Sequence, residues 1–301
     1  MKKYFFIGLT VFYLGYNNLS AQANLLNAKV PQEIGVLNEQ QIEANDNSPV
    51  AYGYVDDRDI LWSKTIWEII DLDERINFPY YYPTIDNGFL SKNRQSLFRI
   101  LIDNIKAGNI TEVYNTDYFK EKISFEDMQD RLALRRLSTI GIEKQNAGEQ
   151  VTEDDYDVFE VTSDKIVQYR IKGTWYVDKR LGELKYRLLG IAPYAPDVST
   201  LDQGAAAFES EPVPLFWVWF PDAREELHEM KVFNQKNSAT PISFDHILNA
   251  RRFSSIIYKI ENIYGNRDVS QYVKGNALFQ VLESNRIKEE IRSKEGDMWN
   301  Y

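Results

Sequence analysis

The clearest alternation of apolar and polar positions lies between residues 175 and 193. Leu184, Tyr186 and Leu188 share one side of a strand, and Lys185 and Arg187 share the other, the period of a strand with one buried face. Residues 175–179 precede it. Arg180-Leu-Gly-Glu183 supplies a turn in which Gly182 is free to take positive φ, so the stretch predicts a β-hairpin. Leu215-Phe-Trp-Val-Trp-Phe220 is apolar on both faces. It predicts a strand central to the same sheet, with Trp217 and Trp219 on one side, Phe216 and Val218 on the other, and Pro221 closing it.

Elsewhere the helical period dominates. Trp62, Ile66, Ile69 and Ile70 predict an amphipathic helix over residues 60–72, with a strand as the alternative because β-branched and aromatic residues are frequent there. Pro79 and Pro83 turn residues 77–83 into an extended, rigid aromatic segment. Leu97, Ile100, Leu101 and Ile105 mark a helix capped by Ser91 or Asn93 and ended by Gly108. Residues 110–114 form a short strand. Ser124-Phe-Glu-Asp127 resembles a capping box, opening a helix with Phe125, Met128, Leu132 and Leu137 inward and Arg131, Arg135 and Arg136 outward. A strand follows at 158–161, then a strand or short helix at 166–171. Residues 193–214 form a long connection. Helices are predicted at 221–230, after Ser243 with Phe244, Ile247 and Leu248 inward, and at 276–294 with Leu278, Leu282, Ile287 and Ile291 as its apolar side. Residues 233–241 form a loop and residues 256–260 a strand. The terminal Trp299 and Tyr301 are expected to dock onto the body. Residues 22–55 are polar and without period, an extended N-terminal arm that is ordered only where something holds it. The fold class is therefore α+β: a mainly antiparallel sheet with packed helices over residues 56–301, preceded by the arm.

Composition narrows the setting. The 301 residues are 44% hydrophobic, enough for a substantial core, and include no cysteine. Disulfides, thiolate metal sites and cysteine nucleophiles are excluded. Lys2 and Lys3 precede a mostly apolar run from residue 4 to 16, and Ala21 precedes Gln22, so residues 1–21 read as a secretory signal peptide. The run is short for a membrane span and is broken by Gly8, Thr10 and Gly15. Without a cysteine at the cut, the expected product carries no lipid of its own. Loss of Lys2 and Lys3 leaves 33 basic against 45 acidic residues, a net charge of −12. Such a chain repels nucleic acid.

Candidate chemistry is sparse. His228 and His246 have no second histidine at ligand spacing, and no Gly-x-Ser-x-Gly elbow occurs. The acidic groups at 56–59, 71–74 and 153–157 lack calcium-loop spacing and read as solvated loop charges. No phosphate-cradling glycine loop is present. The residues thus nominate no catalytic, cofactor or metal site. The aromatic segment at 78–82 suits sugar stacking, core packing or a protein neighbour. Tyr80, Tyr81 and Tyr82, with Trp62 and Trp67 behind them, are the candidate partner-binding residues.

Several stretches together carry a resemblance: residues 61–72 with Asn77-Phe-Pro-Tyr-Tyr-Tyr-Pro83, Leu189-Gly-Ile-Ala-Pro193, Leu215-Phe-Trp-Val-Trp-Phe-Pro-Asp-Ala-Arg224, Val232-Phe-Asn-Gln-Lys-Asn237, and Phe253-Ser-Ser255 near Tyr258-Lys259. In this order the sequence resembles the GldN (PorN) family of periplasmic gliding-motility and type IX secretion proteins of the Bacteroidetes, from about residue 59 onward. The resemblance implies a non-enzymatic structural subunit that self-associates in a periplasmic ring with an outer-membrane lipoprotein (GldK/PorK-like). It also implies contact with the periplasmic part of the inner-membrane motor protein (GldM/PorM-like). A subunit without its own lipid is then held at the outer membrane by its partner. The alternative from another class is a periplasmic carbohydrate-active enzyme or glycan-binding protein.

Overall fold

The hairpin is the middle of the sheet. A computed structural model of the chain describes residues 30, 48–85, 95–232, 234, 242–263 and 265–299. Two units divide the chain, Met1–Ser48 and Pro49–Tyr301, and the sheet and its helices belong to the second. In chain order the strands are β1 Ile60–Asp71, β2 Val113–Tyr114, β3 Ala133–Leu137, β4 Tyr156–Glu160, β5 Gln168–Asp178, β6 Glu183–Ala195, β7 Val213–Pro214, β8 Trp217–Trp219, β9 Lys231–Val232, β10 Ile242–Ser243 and β11 Ile256–Ile260. Seven of them make one sheet of order β11-β1-β5-β6-β8-β2, with β7 beside the end of β6, and its pairs are antiparallel. The class is α+β with a mainly antiparallel sheet, as the alternation predicts. β5 and β6 are joined where Asp178 faces Glu183, and Gly182 takes φ 64° in the turn. The open choice at 166–171 resolves to strand, since β5 begins at Gln168.

Residues 60–72 are not a helix. Residues 60–71 form a twelve-residue strand paired to β5 on one side and β11 on the other. Trp62, Ile66 and Ile70 are spaced by four, which satisfies both the helical and the strand period. The tie is broken by burial on both faces: Ile66 and Ile70 on one, Trp67 on the other. The aromatic segment is also corrected. Phe78–Tyr81 is a single helical turn with Pro79 in its first positions, where no N–H is required of it; only Tyr82 returns to extended backbone.

β8 is buried on both sides but lies one strand from the edge rather than at the centre, and is three residues long. Pro214 and Pro221 flank it and withhold the donors that longer pairing needs. The helix opened by Ser124 ends at Leu132. Met128 and Leu132 are buried but Phe125 is exposed, and residues 133–137 become β3, paired with β4. Ser96 caps the helix Leu97–Ala107, whose apolar stripe and Gly108 terminus agree with the pattern; Ser91 and Asn93 lie outside the described residues. The C-terminal helix runs Ala277–Trp299 and buries Ile287 and Ile291, while Leu278 and Leu282 face outward. Most of the loop at 233–241, the first 29 residues and the terminal aromatic side chains also lie outside the described residues.

The two faces of the sheet are packed differently. One carries the main core: Ile70, Tyr169, Leu188 and Val218 against Tyr80, Leu97, Leu101, Phe220 and Phe244. The other carries Trp67, Tyr114, Tyr194 and Trp217, covered by Phe119. A Cβ on Gly190 would stand 2.3 Å from the Phe119 ring, so β6 has glycine where the ring lies. Truncating a buried tryptophan costs about 3–5 kcal/mol, and a chain of this size loses about 2–4 °C per kcal/mol. Trp217→Ala is therefore expected to lower the melting temperature by roughly 6–20 °C. A melting curve that does not move would show that this face is not a packed layer.

Candidate functional site

The strongest local constraint is a carboxylate inside β1. Glu68 is fully buried in an otherwise apolar run, and an isolated charge there is very costly. Arg251 answers it with a bidentate pair, Nη1 to Oε2 at 2.8 Å and Nη2 to Oε1 at 2.7 Å, and Ser255 Oγ donates to Oε1 at 2.8 Å. Arg251 reaches in from a left-handed backbone position (φ 52°) and lies over the Tyr186 ring at 4.2 Å. Burial works against its cation, but Glu68 outweighs burial and the guanidinium pKa lies above its ordinary value.

The loop that supplies these groups also holds the aromatic turn. Buried Asn77 donates through Nδ2 to Asp71 O (2.7 Å) and Ser254 O (3.1 Å), and accepts from Ser254 N–H at 2.9 Å. Tyr80 is fully buried, donates to Arg252 O at 3.3 Å, and packs against Phe244 and Phe253. Burial raises its phenol well above the ordinary range. Tyr81 is half-buried and donates to Asp164 O at 3.1 Å. Tyr82 stands 53% exposed, edge-on to Tyr81 (4.8 Å) and Phe78 (5.4 Å). Ile76 and Ile85 are exposed on either side of the turn in sequence. Tyr80 is thus the root of the turn, and Tyr82 its accessible tip.

The two tryptophans go elsewhere. Trp62 is partly buried against the cluster of Ile66, Val269 and Ile287. Trp67 is buried on the opposite face, its ring under Lys259 (4.5 Å) and Lys172 (5.1 Å). Both lysines also reach the loop above, Lys172 through Asp117 O (2.7 Å) and Lys259 through the Asp117 carboxylate (3.2 Å). The structure joins Tyr80, Tyr81 and Tyr82 in one turn and brings neither tryptophan to it.

Pattern reading missed Ile76, Ile85 and the Glu68–Arg251 pair. The pair had a signal, a single acid in Thr-Ile-Trp-Glu-Ile-Ile70, which demands a cation from elsewhere. It also missed how residues 50–55 are held. Arg224, Arg187 and Arg180 donate to the carbonyls of Val50 (2.6 Å), Gly53 (3.0 Å) and Tyr54 (2.7 Å). Arg224 and Arg187 also lie over the Tyr52 ring, at 3.9 and 4.5 Å.

Four deeply buried carboxylates each meet a cation: Glu68 with Arg251, Asp155 with Lys144, Asp178 with Arg180, and Asp245 with Arg224. The Lys144 hydrogen bond holds Asp155 down at about 2. His228 Nδ1 lies 3.4 Å from Ser243 Oγ, but Ser243 is buried and caps its helix by accepting from His246 N–H, while Asp245 faces Arg224 and Asn249. A cavity of about 580 Å³ beside the C-terminal helix includes Glu68 and Arg251 in its wall, where the two charges already satisfy each other. Among the described residues no three His, Asp or Glu side chains gather as a metal site, and no helix is long and apolar enough to cross a membrane.

Removing one partner of a buried pair costs about 3–5 kcal/mol. Arg251→Ala is expected to destabilise by that amount in a denaturant melt, and Glu68→Gln/Arg251→Met to cost less than the sum of its single changes. Simple additivity would mean that the two side chains do not act as a pair.

No curated protein matches the chain. A family model does, over residues 55–300, the gliding motility associated protein GldN. That span takes in every strand of the sheet, the Glu68–Arg251 pair and the aromatic turn. The chain therefore belongs to the GldN family, and is a component of the gliding-motility and type IX secretion machinery of the cell envelope.

Proposed function

We propose that the chain is a non-enzymatic structural subunit that forms a periplasmic ring with an outer-membrane lipoprotein and contacts the periplasmic part of the motor. The observation that carries this reading is the family match over residues 55–300. The geometry supports it: the cations of the interior are used on carboxylates, rings and carbonyls, and the aromatic turn ends in an exposed tip on a fixed root. Docking such a tip loses little conformational entropy. In this reading Tyr82, with Ile76, Ile85 and the edge of Tyr81, meets the lipoprotein, while Tyr80 sets the turn's position. Trp62 supports the sheet beside its own helices, and Trp67 belongs to the opposite layer. Export is part of the proposal, with cleavage after Ala21 releasing a subunit held at the outer membrane through the lipoprotein.

Two measurements test it. Tyr82→Ser with Ile85→Ser is expected to leave the melting temperature within a few degrees of the wild type, since exposed changes usually cost no more than about 0.5 kcal/mol. It is expected to abolish co-purification with the lipoprotein and to stop secretion. Tyr80→Ala, by contrast, should destabilise by roughly 3–5 kcal/mol. A folded double variant that co-purifies and secretes normally removes this surface from the assembly. The intact mass of the protein from the envelope fraction should begin at Gln22, open or cyclised; a chain retaining Met1 in the cytoplasm contradicts export.

A further inference from the structure

β1 is longer than the strand that covers its outer edge. β11 pairs with residues 66–69 of β1, and Glu261 closes the ladder by donating its N–H to Thr65 O (2.9 Å) and accepting Thr65 N–H on its carboxylate (3.3 Å). The chain then turns away through the mutual backbone-to-side-chain bonds of Asn262 and Asn266. In an antiparallel ladder alternate residues send both N–H and C=O to the same side. Thr65 points outward, so Ser63 does too, and among the described residues nothing receives its N–H or C=O. Among the described residues the edge at Ser63 is therefore open along the line that β11 vacates. Its other side is paired with β5 from Trp62 facing Val177 to Lys64 facing Trp175, with a bulge at Leu61 before Ile60 faces Asp178, so Ser63 sits on a held strand.

We infer that this edge receives an extended strand from a partner protein, added antiparallel or parallel to β1 in line with β11. This rests on the reading of the chain as an assembly subunit. Backbone pairing at Ser63 would supply affinity, as strand addition to a sheet edge does elsewhere. The surroundings define the strand. The C-terminal helix runs antiparallel to β11, with Ser284 bonded to Ile257 and Lys288 to Ser255, so its first turns lie toward the Ile260 end, where the edge opens. Those turns expose Leu278, Phe279 and Leu282, and Leu61 is 60% exposed on the edge itself. Apolar side chains at alternate positions of the incoming strand suit this border. Asp56 and Asp59 are ion-paired with Arg58 and Arg180, which leaves Asp57 and Glu261 against Lys64 among the described residues beside it. A strand bearing lysine or arginine complements that excess, whereas a second copy of the same edge would set the two acidic groups against each other.

Amide hydrogen exchange decides this on the wild-type chain. In the purified chain the Ser63 amide should exchange quickly at all protein concentrations. In the assembly isolated from the envelope it should slow by about tenfold or more. Ser63→Pro removes the outward N–H without touching the β5 ladder; it should melt like the wild type yet fail to assemble, while Ser63→Ala assembles normally. An assembly in which Ser63 stays unprotected overturns the inference and leaves the subunit reading standing. Protection that appears on concentrating the purified chain alone assigns the edge to a second copy and also overturns it. If no assembly can be isolated, both readings fall. If Ser63→Pro does not fold, the exchange of the wild-type amide still decides.

Discussion

Glu68 brings a negative charge into the interior of β1, and the architecture around it follows from how that charge is met. Arg251 must enter from outside the sheet with its guanidinium in plane with the carboxylate, which ties the loop at 251–255 to the strand. The same loop then fixes Asn77 and Tyr80 through its backbone. Lys288 of the C-terminal helix joins the same place by donating to Ser255 O. The strand and the aromatic turn that follows it are thereby joined to the loop at 251–255 and the last helix, both distant in sequence, around one buried ion pair. A hydrophobic pair of equal volume is often as stable as a buried ion pair. What the charge adds is a single permitted position for the loop, and with it a single position for the exposed tyrosine.

The rest of the molecule uses cations in the same way. Arg180, Arg187 and Arg224 hold residues 50–55 by their carbonyls and by the Tyr52 ring. Arg170 lies over Tyr194 and Tyr258 on the far face, where Lys172 and Lys259 lie over Trp67. These cations bind inward to rings, carbonyls and buried acids. The chain as a whole carries a net charge of −10. An acidic exterior with isolated apolar points, Tyr82 and the start of the C-terminal helix among them, suits a protein built to meet chosen neighbours.

How far the sequence discloses this depends on the element. The hairpin at 175–193 was legible because alternation and a glycine turn agree, whereas the start of its first arm at Gln168 was open between strand and helix. The buried faces of residues 97–107 and 244–248 were legible from apolar residues three and four apart. β1 was not, because positions 62, 66 and 70 fit two periods and only its neighbours decide between them. The short turn at 78–81 was hidden by its prolines, which forbid a helix interior but not a first turn. Of the five candidate contact residues, spacing in sequence placed Trp62 and Trp67 near the tyrosines, whereas strand geometry sends them to opposite faces of the sheet. The Glu68–Arg251 pair spans a separation that no local pattern encodes; the lone acid announced a need without naming the residue that meets it.

We read this chain as a part of an envelope assembly rather than as a protein that acts alone on a ligand. The most direct measurement is the size and composition of the species that contains it after gentle extraction of the cell envelope, by native mass spectrometry. The prediction is a large complex holding many copies of the chain in fixed ratio to a lipid-modified partner. A chain recovered only as a free monomer that binds envelope glycan by itself would contradict the account.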